Sequence, residues 1–301
     1  MPKSFTAKFA IALVFGLAAA VIIAPFAALA VARAGFRIPF PRIFDRVVML
    51  ALLGVILYAA RSLRLIALLR QGFTRPRKGA SRALVGFAVA IVVMGILFAA
   101  AFAMGAARDG ALARAGYLLP KYLAAAIVIG ILEEAFFRAF LFGGMCEDFG
   151  RTGALIASSA IYALAHLVRS PAHFYLAGLD LTAGLRTLAG SGAQFADPAT
   201  ALPTLFGLFL LGIVLAQAYI VTGSVYFSIG LHSGFVLGSK LWPKMISERA
   251  ILPGWLAGWG HQPLISGATA WIAALAIFAI LTALSGGGTL CERPHRRRRD
   301  A

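Results

Sequence analysis

Two carboxylates stand side by side inside an otherwise apolar run, Ile131-Leu132-Glu133-Glu134-Ala135-Phe136-Phe137-Arg138. Each ionisable group at a bilayer centre costs about 2.5–3.5 kcal/mol, so three on one helix cost on the order of 8–10 kcal/mol before pairing. Something must offset that cost. Glu134 and Arg138 are four apart with the acid first, the better order for a helical ion pair. Glu133 is turned about 100° away, and its own i+3 and i+4 neighbours are Phe136 and Phe137. Its partner is therefore expected on another helix or in a wet cavity. A carboxylate so placed suits a general base that takes a proton from water.

Histidines are the natural company for such a base. His166 and His232 fall within other apolar runs, whereas His173, His261 and His295 fall in connections or the tail. Glu133 and His166 lie 13 and 14 residues from a hairpin expected around Gly144–Arg151, or about 20 Å deep at 1.5 Å per residue. His232 is 9 residues from Gly223, about 13 Å in from the same side. One carboxylate and two imidazoles are thus expected in neighbouring layers of one bundle.

The elements that must carry these residues are membrane helices. Of 301 residues, 61% are hydrophobic and only 13% charged, with a mean hydropathy of +0.88. Soluble domains run about 45–50% apolar and about 25% charged, so a soluble enzyme, a disordered chain and a disulfide scaffold are excluded. Two cysteines, Cys146 and Cys291, are too few to staple a chain of this size. A spanning helix needs about 20 apolar residues. Eight runs qualify: 9–32, 47–68, 83–106, 121–143, 152–168, 201–222, 224–240 and 267–285. Arg61 and Arg64 interrupt the second. Unpaired backbone is costly in lipid, so all eight are expected to be helical. The fold class is all-α, a polytopic transmembrane bundle of about eight spans. Residues 1–120 form an N-terminal membrane region, 121–240 a core with four spans, and 241–301 a loop, a last span and a basic tail.

Net charge is +17, a value that elsewhere points to nucleic acid. Here the basic residues sit in short loops between apolar runs, as topology signals do, so no nucleic acid is expected. With a cytoplasmic amino terminus, inner segments carry 15 basic residues and outer segments 12. The run Arg296-Arg297-Arg298-Arg299 is the clearest inside signal and would touch anionic headgroups. Both termini are then cytoplasmic. The first run resembles a signal peptide with its Lys3, Lys8 and Ala27-Ala28-Leu29-Ala30, but about 24 apolar residues favour an uncleaved anchor. Arginine outnumbers lysine 22 to 6, a usage associated with GC-rich bacterial genes. The expected location is a bacterial inner membrane.

These motifs resemble the CPBP family, the CAAX-processing and bacteriocin-processing (Abi) intramembrane proteases, which includes the type II CAAX prenyl endopeptidases. The Glu-Glu-x-x-x-Arg motif is matched by Glu133, Glu134 and Arg138. An aromatic residue, three residues, then histidine is matched by Tyr162 and His166, with Tyr for the usual Phe. The third motif, His-x-x-x-Asn, begins at His232, but Val236 occupies the Asn position. Thr222-Gly223-Ser224 resembles the family's approach to that helix. The likeness covers about 121–240.

The resemblance implies peptide hydrolysis within the membrane. Glu133 would activate water, His166 would orient that water or share its proton, and His232 would stabilise the oxyanion. Glu134, Arg138 and Tyr162 would be structural support. The implied substrate is a membrane-attached peptide or protein. If a metal is used, Glu133, His166 and His232 would hold zinc, though no His-Glu-x-x-His helix pre-forms the site; a metal-free mechanism is slightly favoured. In the family that Asn helps hold the water, and Val236 cannot. Ser228, one turn before His232, offers a hydroxyl instead. The alternative is a non-catalytic member, an immunity or scaffold protein that binds a peptide in the same cavity. A proton relay or transporter is a third reading, but no pair of Gly/Pro-broken helices appears in two halves.

Overall fold

The computed structural model describes residues 4–74, 76–171, 173–260 and 262–284. Lys3, Arg75, His261, Cys291, His295 and the run Arg296–Arg299 lie outside them. Helices dominate and no strand occurs among the described residues. The helices are α1 (Phe5–Arg33), α2 (Phe40–Tyr58), α3 (Leu65–Gly72), α4 (Gly79–Ala103), α5 (Ala111–Glu134), α6 (Gly143–Leu167), α7 (Ala183–Gly190), α8 (Pro198–Thr222), α9 (Tyr226–Met245), α10 (Gly254–Ala257) and α11 (Ala268–Ala283). A π-helical segment, Ala135–Phe142, joins α5 to α6. The chain is an integral membrane helical bundle.

Helices α1, α4 and α8 are long and apolar enough to cross a membrane, and α11 is a shorter apolar helix. The other expected spans fall on helices that carry charge: α5 ends in Glu133-Glu134, and α9 carries Lys240 and Lys244. Side chains such as Phe15, Leu84, Val92 and Ile272 are well exposed, as lipid-facing groups are. Two boundaries differ from expectation. The second run was expected over 47–68, but α2 starts at Phe40 with Pro41 in its first turn, where a missing N–H costs nothing. It ends at Tyr58, which puts Arg61 and Arg64 in the following turn. The hairpin expected at Gly144–Arg151 narrows to Gly150, which breaks α6 at φ 67°, a conformation glycine adopts at no steric cost.

The described chain divides into two compact units. The first comprises residues up to Ile66 together with Leu164–Ala201. Ala24, Ala28, Phe40, Ile43, Phe44 and Ala183 form its core. Phe40 stacks on Phe174 at 5.6 Å and donates its N–H to the Phe174 carbonyl at 2.8 Å. Asp45 accepts from the Ser170 hydroxyl.

The second unit comprises Ala67–Ala163 and the residues from Leu202 on. At its centre α9 packs against α4 and α5. Small residues allow this: Gly230, Gly234 and Gly238 recur every fourth position and face Ala83, Ala90 and Met94 of α4. Close backbone approach through small residues is the usual way membrane helices gain contact area. The turn into α9 is clamped from outside it. Arg82 donates to the Thr222 carbonyl and the Ser224 hydroxyl, both at 2.8 Å. Thr74 donates to the Gly223 carbonyl at 3.1 Å, and Val225 N–H to the Gly72 carbonyl at 3.0 Å.

This packing makes a sharp prediction. A Cβ at Gly230 would overlap the Ala83 backbone carbonyl, and overpacking costs about 1–3 kcal/mol. Gly95 of α4 has nothing near its Cβ position, and Gly→Ala in a helix gains about 0.5–1 kcal/mol. Thermal melts in detergent should therefore show Gly230→Ala below and Gly95→Ala at or above the wild type.

Candidate active site

The π-helical segment starts immediately after Glu134. Its first consequence is local: Gly143 N–H reaches back five residues to the Arg138 carbonyl. π-Helical turns are rare and gather at functional sites. Glu134 and Arg138 flank its start, both fully buried, with Arg138 Nε 3.4 Å from Glu134 Oε2. The guanidinium also lies over two rings, 4.9 Å from the Tyr162 centroid and 5.9 Å from that of Phe137. A weakly hydrated, planar cation tolerates such a site better than an ammonium would.

Tyr162 reaches the cluster from α6. Its ring meets Phe137 edge-on at 5.0 Å and His232 edge-on at 6.1 Å. The aromatic ring thus separates the guanidinium from the imidazole while touching both.

His232 reaches it from α9 and is 3% exposed. Its Nδ1 lies 2.9 Å from Glu134 Oε1. A carboxylate only accepts, so Nδ1–H donates and Nε2 is turned the other way. Nε2 is 3.7 Å from Glu133 Oε2. That gap is too long for a direct hydrogen bond. The Glu133 side chain is 29% exposed, unlike Glu134, so the two adjacent acids have different surroundings. Glu134 is locked between Arg138 and His232, whereas part of the Glu133 side chain reaches the surface while its Oε2 is buried.

Glu133, Glu134, Arg138, Tyr162 and His232 are all brought together in the second unit. His166 follows Tyr162 by four residues on α6, is half-buried, and belongs to the first unit. His173 is exposed in the connection before α7. Among the described residues, no group of three or more His, Cys, Asp or Glu is placed to hold a metal ion. Val236, one turn beyond His232, is half-buried. The Ser228 hydroxyl donates within α9 to the Val225 carbonyl at 2.9 Å, which removes it as a stand-in for the amide.

Sequence reasoning missed two things. Glu134 has a second role, as the acceptor for His232, which depends on how closely α5 and α9 approach. Gly130 of α5, which meets Ser233 and Ile229 of α9, was the available signal for that approach. The Arg82 clamp on the α8–α9 turn had no local signature.

The family model described as Type II CAAX prenyl endopeptidase Rce1-like matches residues 114–238. No curated protein and no solved structure matches the chain.

Proposed function

Because residues 114–238 belong to the Rce1-like type II CAAX prenyl endopeptidase family, we propose that this chain hydrolyses a peptide bond of a membrane-attached substrate, with Glu133 as the base. The observation that carries the reading is the His232 bridge, bonded to Glu134 at Nδ1 and 3.7 Å from Glu133 at Nε2. Glu133 takes a proton from a water between its carboxylate and His232. The resulting hydroxide adds to the scissile carbonyl. His232, when Nε2 carries a proton, donates to the oxyanion, and Glu134 keeps the ring oriented. Glu133 then passes its proton to the leaving amine. His166 orients the water or shares its proton; the motif spacing from Tyr162 supports this role. The side chains' own acid–base chemistry suffices, and no step runs through a metal. The substrate is a peptide presented at the membrane, prenylated near its carboxyl terminus.

The experiment is cleavage of prenylated peptides by the full chain in lipid vesicles, read by mass spectrometry. Cleavage should survive exhaustive chelation and fall by about 10²–10⁴ in His166→Ala and His232→Ala. Loss on chelation with recovery on adding zinc would overturn the metal-free mechanism. A second reading, a non-catalytic peptide-binding member, is favoured by one observation: Val236 offers no hydrogen bond where the family has Asn. Absence of cleavage with retained peptide binding would establish it.

A further inference from the structure

The turn that leads into α9 is wrapped by a strongly basic segment that the chemistry above leaves unused. Residues 67–82 carry Arg70, Arg75, Arg77, Lys78 and Arg82 and no acid. The segment closes around residues 222–226. The Gly72 carbonyl accepts from Val225 N–H at 3.0 Å, and the Phe73 carbonyl from the Tyr226 hydroxyl at 3.3 Å. Thr74 and Arg82 donate to the same turn. On its inner side, Leu68 of α3 lies against Gly143, and Gly72 against Ala139 of the π-helical segment. On its outer side, Arg70, Arg77 and Lys78 are exposed. Among the described residues, none of these three side chains bonds another protein group.

Their position says what three such cations meet. α4 starts at Gly79, directly after Lys78, and α8 ends at Thr222. Both helices are long and apolar enough to cross a membrane, and Arg82 joins the start of one to the end of the other. These ends therefore mark one membrane surface, and Arg70, Arg77 and Lys78 stand at it. A topology signal needs only positive charge in a loop. It does not need the loop folded against the bundle with its cations all turned outward. At that level the cations match phosphate in charge, and arginine matches it in hydrogen-bond geometry as well. We propose that Arg70, Arg77 and Lys78 form a binding site for the phosphate of an anionic phospholipid headgroup, on the membrane surface beside the α8–α9 turn. Arg82 is committed to the turn and adds charge only. Because α3 also rests on the π-helical segment, the bound headgroup lies one layer of packing from the segment that carries Arg138. The inference is independent of the reading of Glu133 as the base.

The test is photo-cross-linking of the full chain in phosphatidylcholine vesicles. These are doped with phosphatidylglycerol bearing a diazirine near its headgroup or, in a parallel sample, with the matching phosphatidylcholine. Mass spectrometry locates the adducts. Each Lys or Arg near an anionic surface is worth about fivefold in affinity. Residues 67–82 should therefore take the anionic probe over the zwitterionic one by about tenfold or more, and the preference should shrink in high salt. Combining Arg70→Gln, Arg77→Gln and Lys78→Gln should bring the two probes level. The melting temperature in phosphatidylcholine should stay unchanged, because these side chains bond nothing in the protein. Neutralising the tail, Arg296→Gln through Arg299→Gln, should leave the preference intact. Equal labelling by both probes in the wild type overturns the proposal, as does a preference that survives the triple variant or vanishes in the tail variant. Displacement of the lipid probe by millimolar inorganic phosphate would assign the site to a soluble anion and overturn the lipid reading. If the triple variant does not fold, Arg77→Gln decides: about a fivefold loss of preference supports the site, and an undiminished preference overturns it.

Discussion

Glu133→Gln should reduce hydrolysis by about 10²–10⁴ or more, the share a positioned general base supplies, while leaving the protein folded. The amide keeps the shape of the side chain but cannot take a proton from water. Glu133 is partly exposed and its Oε2 lies 3.7 Å from His232 Nε2, so the substitution removes a charge that is not fully buried. Thermal stability should change little. Rate per folded molecule, from single-turnover cleavage beside a detergent melt, checks both halves. Glu134→Gln is the informative contrast. That residue is fully buried between Arg138 and His232, so its loss should depress stability as well as rate.

Arg138→Leu should lose about 3–5 kcal/mol of stability, the cost of removing one partner of a buried ion pair. The carboxylate of Glu134 would remain buried and keep only His232 as a partner. The Tyr162 and Phe137 rings would also lose the cation between them. For a membrane protein of ordinary stability such a loss approaches the whole margin, so Arg138→Leu should accumulate poorly and melt far below the wild type. Arg138→Lys should recover only part of the loss, because an ammonium lacks the planar face that stacks on Tyr162. A melt of Arg138→Leu within a degree of the wild type would show that the pair is not what holds the π segment to α9.

The membrane helices were legible in the sequence because lipid demands long apolar runs, and α1, α4 and α8 show that signal with little charge. The boundaries of α2 were less so. Its first turns carry Arg42, Asp45 and Arg46 on an exposed face, which reads as a loop until the proline-led start is seen. The ion pair of Glu134 and Arg138 was legible because four residues bring side chains together on any helix. Its setting was not, since nothing in Ala135–Phe142 announces a π turn rather than an α turn. The bond from His232 to Glu134 links residues 98 apart. It depends on how far α9 sinks between α4 and α5, and that depth is set by Gly130, Gly230 and Gly234, none of them reactive.

The most direct measurement is the fate of oxygen during turnover in ¹⁸O-water. If Glu133 acts as a base, the new carboxyl terminus of the product carries solvent oxygen, and the peptide containing Glu133 keeps its natural mass after many turnovers. Heavy oxygen in the Glu133 carboxylate would mean that it attacks the substrate itself. That result would contradict a water held between Glu133 and His232.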